Sequence, residues 1–128
     1  MLDDEVRLLL DGANIAHVAT LLPDGSPHAV PVWIGREGGL VAIFTGPRTV
    51  KARNLDRDPR VAISLTQADA MLRMASIRGR VHERIEGDRA WQVIDRISHK
   101  YQGGPYPREE ELVVYTIEPQ RAWGKDFS

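Results

Sequence analysis

The spacing of apolar positions changes several times along the chain, and each change marks an element. Leu2, Val6, Leu9 and Ala13 recur at helical spacing, with Asp3 and Asp4 at the start and Gly12 at the end. This predicts a short amphipathic helix with acids at its N-terminus and a glycine stop. The period then drops to two. NIAHVATLL and PHAVPVWI flank the turn PDGS and read as a β-hairpin. GLVAIFT, at 39–45, is a third strand. Gly46-Pro47 follows and sets a proline where the first turn of a helix tolerates one, so a helix is expected to start near Pro47. RVAISLT, at 60–66, is a fourth strand. Residues 71–85, MLRMASIRGRVHERI, form a longer run with Ala75, Ile77 and Val81 on one side and Arg78, Arg80 and His82 on the other, and Gly79 is the expected place of a bulge. Asp88 is placed to cap a further helix whose apolar stripe is Ala90, Ile94, Ile97 and Tyr101, ended by Gly103-Gly104-Pro105. ELVVYTIEP is a last strand, closed by Pro119.

Six strands with mostly short connections and few helices favour a mainly β antiparallel barrel or sandwich over a βαβ sheet. The 128 residues read as a single domain, 1–128, with no repeat or linker and a small core that pairing with a second copy would help. There is no cysteine, which removes disulfides, thiolate metal sites and a Cys nucleophile. The N-terminus carries acids where a secretory signal carries cations, and no stretch reaches the length of a membrane span, so the expectation is a soluble cytoplasmic protein. A net charge of −1 argues against nucleic acid as a partner of the whole protein.

That overall balance hides one exception. GPRTVKARNLDRDPR, residues 46–60, holds Arg48, Lys51, Arg53, Arg57 and Arg60 against only Asp56 and Asp58, a local net charge of plus three. On a helix, Val50, Lys51, Arg53, Asn54 and Arg57 share one broad arc, opposite Ala52 and Leu55. Arg48 lies by the helix start, where free amides and the dipole favour an anion. Arg48, Lys51 and Arg53, with Asn54 as a neutral donor, therefore form a candidate phosphate site, whereas Arg57 and Arg60 are expected to be screened by Asp56 and Asp58. The alternative is a solvated helix face. Neither GxxxxGK[ST] nor GxGxxG is present.

From AHVATLLPDGSPHAVPVWI through IFTGPRTVKARNLDRDPRVAISL and IRGRV to KYQGGPYP, the sequence resembles the flavin- and deazaflavin-dependent split-barrel oxidoreductases related to pyridoxamine 5′-phosphate oxidase, and most closely their coenzyme F420-dependent branch. The resemblance implies a six-stranded antiparallel split β-barrel of the FMN-binding type. It implies a homodimer with a cofactor groove at each side of the interface, a small-molecule substrate and no membrane partner. By carry-over, Thr45, Arg48, Lys51, Arg53 and Asn54 contact the cofactor phosphate and tail, and Pro31, Val32 and Trp33 lie along the ring. The implied activity is hydride transfer from reduced F420 to a small organic substrate. FMN chemistry on the same barrel is the alternative, and a non-catalytic flavin or haem module is a reading of another class.

No residue is marked as catalytic. GxSxG and HExxH are absent, and no metal site is expected. His17 alternates with Ile15, Ala19 and Leu21 and reads as a barrel-core histidine. His28 is expected at the surface, His82 on the polar side of its strand, and His99 off its helix's apolar stripe. Tyr101 continues that stripe and is expected to pack, Tyr106 to line a substrate mouth, and Trp123 to reach a partner's groove.

Overall fold

The structure, a computed structural model, describes residues 2–128. The first helix, α1 (Asp4–Asp11), is capped by Asp3, whose carboxylate accepts the Val6 amide at 3.0 Å, and it stops at Gly12. Its buried stripe is Val6, Leu9 and Leu10, with Leu2 beside them; Ala13 lies past the stop and is exposed, so it belongs to the following turn and not to the stripe.

The expected hairpin forms from β1 (Ala16–Leu21) and β2 (Pro27–Val32), paired from Ala16 opposite Val32 to Leu21 opposite Pro27. Its turn uses Gly25 at φ 86°, a conformation that costs glycine little, while the Asp24 carboxylate accepts the Ser26 amide at 3.0 Å. The chain continues through β3 (Gly35–Glu37), β4 (Leu40–Thr45), α2 (Val50–Arg57), β5 (Arg60–Gln67), β6 (Ala70–Ile85), α3 (Gly87–Gln102) and β7 (Val113–Asp126).

Among the described residues there are thus seven strands and not six. The added one, β3, pairs Gly35 with Ala42 and Glu37 with Leu40, and three residues are too few to show a period in sequence. Nor does Pro119 close the last strand. Gly79 pairs with Pro119 and Arg78 with Arg121, so Gln120 is an extra residue on β7, and the proline sits at that bulge, where no ladder donor is needed. The helix expected near Pro47 begins three residues later, because Gly46 to Thr49 form a turn (Thr49 amide to Gly46 carbonyl, 3.3 Å) and Thr49 is the cap, its hydroxyl accepting the Ala52 amide at 3.2 Å. Asp88 likewise lies inside the first turn of α3; the cap position is Glu86, whose side chain makes no capping bond.

The sheet order is β2-β1-β5-β6-β7-β4-β3, all antiparallel. Consecutive strands β2 and β3 form its two edges, so the sheet curls into a barrel that stays split between them. Inside, α1 packs its stripe onto Val18, Ile43, Ile63, Ile77, Tyr115 and Ile117. Outside, α3 lays Ala90, Val93, Ile94 and Ile97 over Ala42, Val114 and Leu112. Strands β4 and β7 are therefore covered on both faces, which explains why LVAIFT and LVVYTI are apolar without alternation. Among the described residues, no helix lies over the outer face of β1, β5 and β6.

Candidate functional site

Helix α2 is fastened from its inner side. The Asn54 amide, 2% exposed, donates to Thr20 Oγ1 of β1 at 3.0 Å and accepts from Arg57 at 3.0 Å. Arg57 also donates to the Leu21 carbonyl. Asp56 accepts from the buried Tyr115 hydroxyl at 2.8 Å and pairs with Arg84, which also reaches Glu86 at 3.0 Å. Arg60 is held by Asp58 at 2.8 Å, and that guanidinium pulls the Asp58 carboxyl down to about 2. Two expectations change here. Asn54 faces the barrel with both polar atoms engaged, not the arc shared with Lys51. Arg57 donates to the Leu21 carbonyl and the Asn54 side-chain oxygen and is screened by Asp58 alone, because Asp56 is taken by Arg84 and Tyr115.

What remains is a set of free cations. Among the described residues, Arg48, Lys51 and Arg53 have no ion-pair partner. Arg48 and Arg53 are exposed at the start of α2, where the Val50 and Lys51 amides lack intrahelical acceptors. Lys51 is half-buried, and burial lowers its pKa. A partly desolvated ammonium without a counter-ion is an incomplete arrangement that an anion completes.

Lys51 projects into a groove of about 350 Å³ whose other walls are Ile15, Pro31, Val32, Trp33, Phe44 and Tyr106. The groove lies at the split, along the β2 edge. Its apolar wall is a set of aromatic rings. Trp33 stacks on Tyr101 with centroids 4.7 Å apart and planes 3° from parallel, and meets Phe44 and Tyr106 edge-on at 6.5 and 6.0 Å. Tyr101 is anchored through its hydroxyl, which accepts the Ile34 amide at 3.1 Å and donates to the Asn14 carbonyl. Tyr106 is positioned from α3: its amide donates to Asp95 at 3.1 Å, and Arg108 grips the same carboxylate through two contacts of 2.6 Å while lying 4.2 Å over the Trp91 ring. That pairing holds the Asp95 carboxyl below its ordinary range.

The structure thus brings Pro31, Val32, Trp33 and Lys51 onto one cavity. Thr45 is 7% exposed behind it, its hydroxyl 3.0 Å from that of Thr49. Phe44 and Ile15 were missed in sequence. Phe44 alternates outward from the barrel on a strand whose apolar run conceals its faces, and Ile15 lies just before β1. None of the four histidines lines the groove. His17 is not in the core: burial alternates along β1, and it is Ala16, Val18 and Thr20 that point inward. His28 is half-buried, with Nδ1 enclosed and unpartnered. His82, on the polar side of β6, and His99, off the apolar stripe of α3, are both exposed.

The sequence profile of the pyridoxamine 5′-phosphate oxidase family matches residues 2–125. No curated protein matches the sequence. Among solved structures, an F420 reductase superposes with a TM-score of 0.82 at 23% identity, over 95% of this chain and 98% of its own. A conserved hypothetical protein from Mycobacterium tuberculosis gives 0.81 at 28%, over 98% and 85%. A heme binding protein from Mycobacterium smegmatis gives 0.71 at 25%, over 96% of this chain and 53% of that one.

Proposed function

Since the chain belongs to the pyridoxamine 5′-phosphate oxidase family, we propose that it is an oxidoreductase that binds the deazaflavin coenzyme F420 in the groove along β2 and uses it to reduce a small organic substrate. The observation that carries this reading is Lys51, half-buried in an aromatic groove without a counter-ion, with Arg48 and Arg53 also free at the adjoining helix start. A planar ring fits against Pro31, Val32 and Trp33, and a phosphate fits the helix N-terminus with Arg48, Lys51 and Arg53. Thr45 and Asn54 serve this site by holding α2 in place. When bound, the coenzyme supplies the hydride; the protein's part is to orient the ring, neutralise its anionic end and exclude water.

FMN is the second reading. It needs a ring wall and one phosphate, both available here, but it lacks the glutamate tail of F420. Three free cations exceed what one phosphate requires, which favours the deazaflavin. A haem reading draws on the likeness to the mycobacterial heme binding protein and is disfavoured by a groove lined without histidine. In the dimer we propose, the groove is shared between two copies.

Titration of the apo-protein with F420 and FMN side by side, followed by fluorescence, tests this directly. F420 should bind more tightly, and Lys51→Ala with Arg53→Ala should weaken it by at least about tenfold, about 1.4 kcal/mol, with unchanged far-UV circular dichroism. Equal affinity in the double variant removes the phosphate role from α2.

A further inference from the structure

The ring wall of the groove hangs on a segment that belongs to no strand. Pairing along β2 ends at Val32 and along β3 starts at Gly35, so Trp33 and the buried Ile34 take no ladder partner. Both backbone groups of Ile34 are taken instead by two consecutive side chains of α3. The Tyr101 hydroxyl accepts its amide at 3.1 Å, and the Lys100 ammonium donates to its carbonyl. The same two side chains reach α1 and the chain that follows it, Lys100 donating to the Leu10 carbonyl at 2.7 Å and Tyr101 to that of Asn14. Helix α3 presses closely on this link, since a Cβ at Gly35 would stand 2.8 Å from Ile97 Cγ1.

Trp33 is therefore fixed twice. The peptide that follows it is clamped, and its ring lies on that of Tyr101, 4.7 Å away and 3° from parallel. The clamp also contains an uncompensated charge. Around Lys100 stand Asp11 of α1, bound to Arg36 of β3 at 2.8 Å, and Arg96 of α3, bound to Glu37 of β3. Those charges cancel in pairs. Among the described residues Lys100 has no carboxylate partner, and its ammonium faces two carbonyl oxygens and the Tyr101 ring, 4.9 Å from the centroid. Hydrogen bonds from a charged donor are roughly twice as strong as neutral ones, and a cation over a phenol ring adds to them. The protonated amine thus grips this corner harder than the neutral one.

We propose that Lys100 and Tyr101 are positioning residues for the groove: by clamping the Ile34 peptide they hold Trp33 as the wall for a planar ring, and the Lys100 charge makes that hold pH-dependent. The proposal rests on the ring-binding part of the cofactor reading and deepens it, because neither residue lines the groove itself. Burial brings the Lys100 pKa down to about 8, so the grip is full below that value and relaxes as pH rises through it.

Two probes divide the site: F420, and a deazaflavin that carries the ring without phosphate or tail. Calorimetric titration of the full chain at about pH 7 should show Tyr101→Phe and Lys100→Met each weakening both probes by about fivefold, equally for the two. Tyr101→Phe keeps the ring stack and removes only the hydroxyl. The advantage of the wild type over Lys100→Met should shrink to within about twofold at about pH 9.5, because Lys51 and the probe titrate in both proteins and cancel from the ratio. Near-ultraviolet circular dichroism gives a reading without ligand. The difference between wild type and Trp33→Phe isolates the band of the Trp33–Tyr101 stack, and both clamp variants should lose most of it with an unchanged far-UV spectrum. Lys100→Gln, which keeps a donor and loses the charge, replaces Lys100→Met should that variant misfold. Unaltered ring affinity in the variants overturns the proposal, as does a ratio independent of pH. A larger loss for F420 than for the bare ring also overturns it, since the effect then reaches α2 and not the wall. A wild type that binds the bare ring but not F420 takes down the cofactor reading and leaves the clamp to the ring titrations; one that binds neither overturns both.

Discussion

At the residue scale, the least comfortable group outside the groove is Lys100. Its ammonium lies within a fold corner, donating to the Leu10 carbonyl at 2.7 Å and to that of Ile34, and 4.9 Å over the Tyr101 ring. Burial pushes its pKa down to about 8, with Asp11 opposing part of the shift. An exposed lysine titrates near about 10.4, so between those values the unfolded chain holds more protons than the folded one, and stability from this site rises with pH across that window. Below it both states are protonated and the cost is constant. Urea unfolding of the wild type and Lys100→Met, at about pH 7.5 and about pH 9.5, should show the wild type gaining on the variant at the higher pH; a difference independent of pH would mean the amine is solvated. Neither this nor the burial of Asn54 was legible in sequence, because both depend on which segments meet. His17 failed for a related reason. Alternation tells which residues share a face of β1, but not which face the helices leave open. Lys51 was legible because its neighbours' acids could be counted within the same segment.

At the element scale, local chemistry was informative wherever one short stretch sufficed. The hairpin with its Gly25 turn, the acids at the start of α1 and the α3 stripe needed no distant partner. Helix α2 began late because Thr49 competes with Pro47 for its start, and Thr followed by a helical run was the signal to weigh. The bulge expected at Gly79 is present, though its extra residue is Gln120 on the partner strand. An added Cβ at Gly79 would stand 2.3 Å from the Glu118 carbonyl oxygen, which is backbone and cannot swing aside. Gly79→Ala should therefore lower unfolding stability by about 1–3 kcal/mol, read as a lower urea midpoint with an unchanged slope. A midpoint equal to wild type would show that β7 shifts freely there.

At the scale of the whole molecule, the open outer face of β1, β5 and β6 is the feature that a single copy leaves unresolved. Ile15 is 47% and Trp123 48% exposed, and a further depression of about 330 Å³ between Leu21, Pro27 and Ala62 lies on the same face. A chain this size buries a limited share of its surface alone. Light scattering at micromolar concentration should give twice the chain mass of 14.4 kDa; a stable monomer competent for F420 would count against a shared groove. Strand number and spacing left barrel and sandwich both open, and it was the family resemblance that implied the split barrel; the position of the gap depends on β2 and β3 failing to pair, which no single strand's pattern shows. The sheet order has one more consequence. Strand β4 has only β3 and β7 as ladder neighbours, so before residues 113–126 emerge from the ribosome, the β3–β4 ribbon has no hydrogen-bonded link to the β2-β1-β5-β6 sheet. Synthesis of this protein therefore exposes two half-assembled pieces, and the groove, whose walls come from both, comes into being only when the seventh strand joins them.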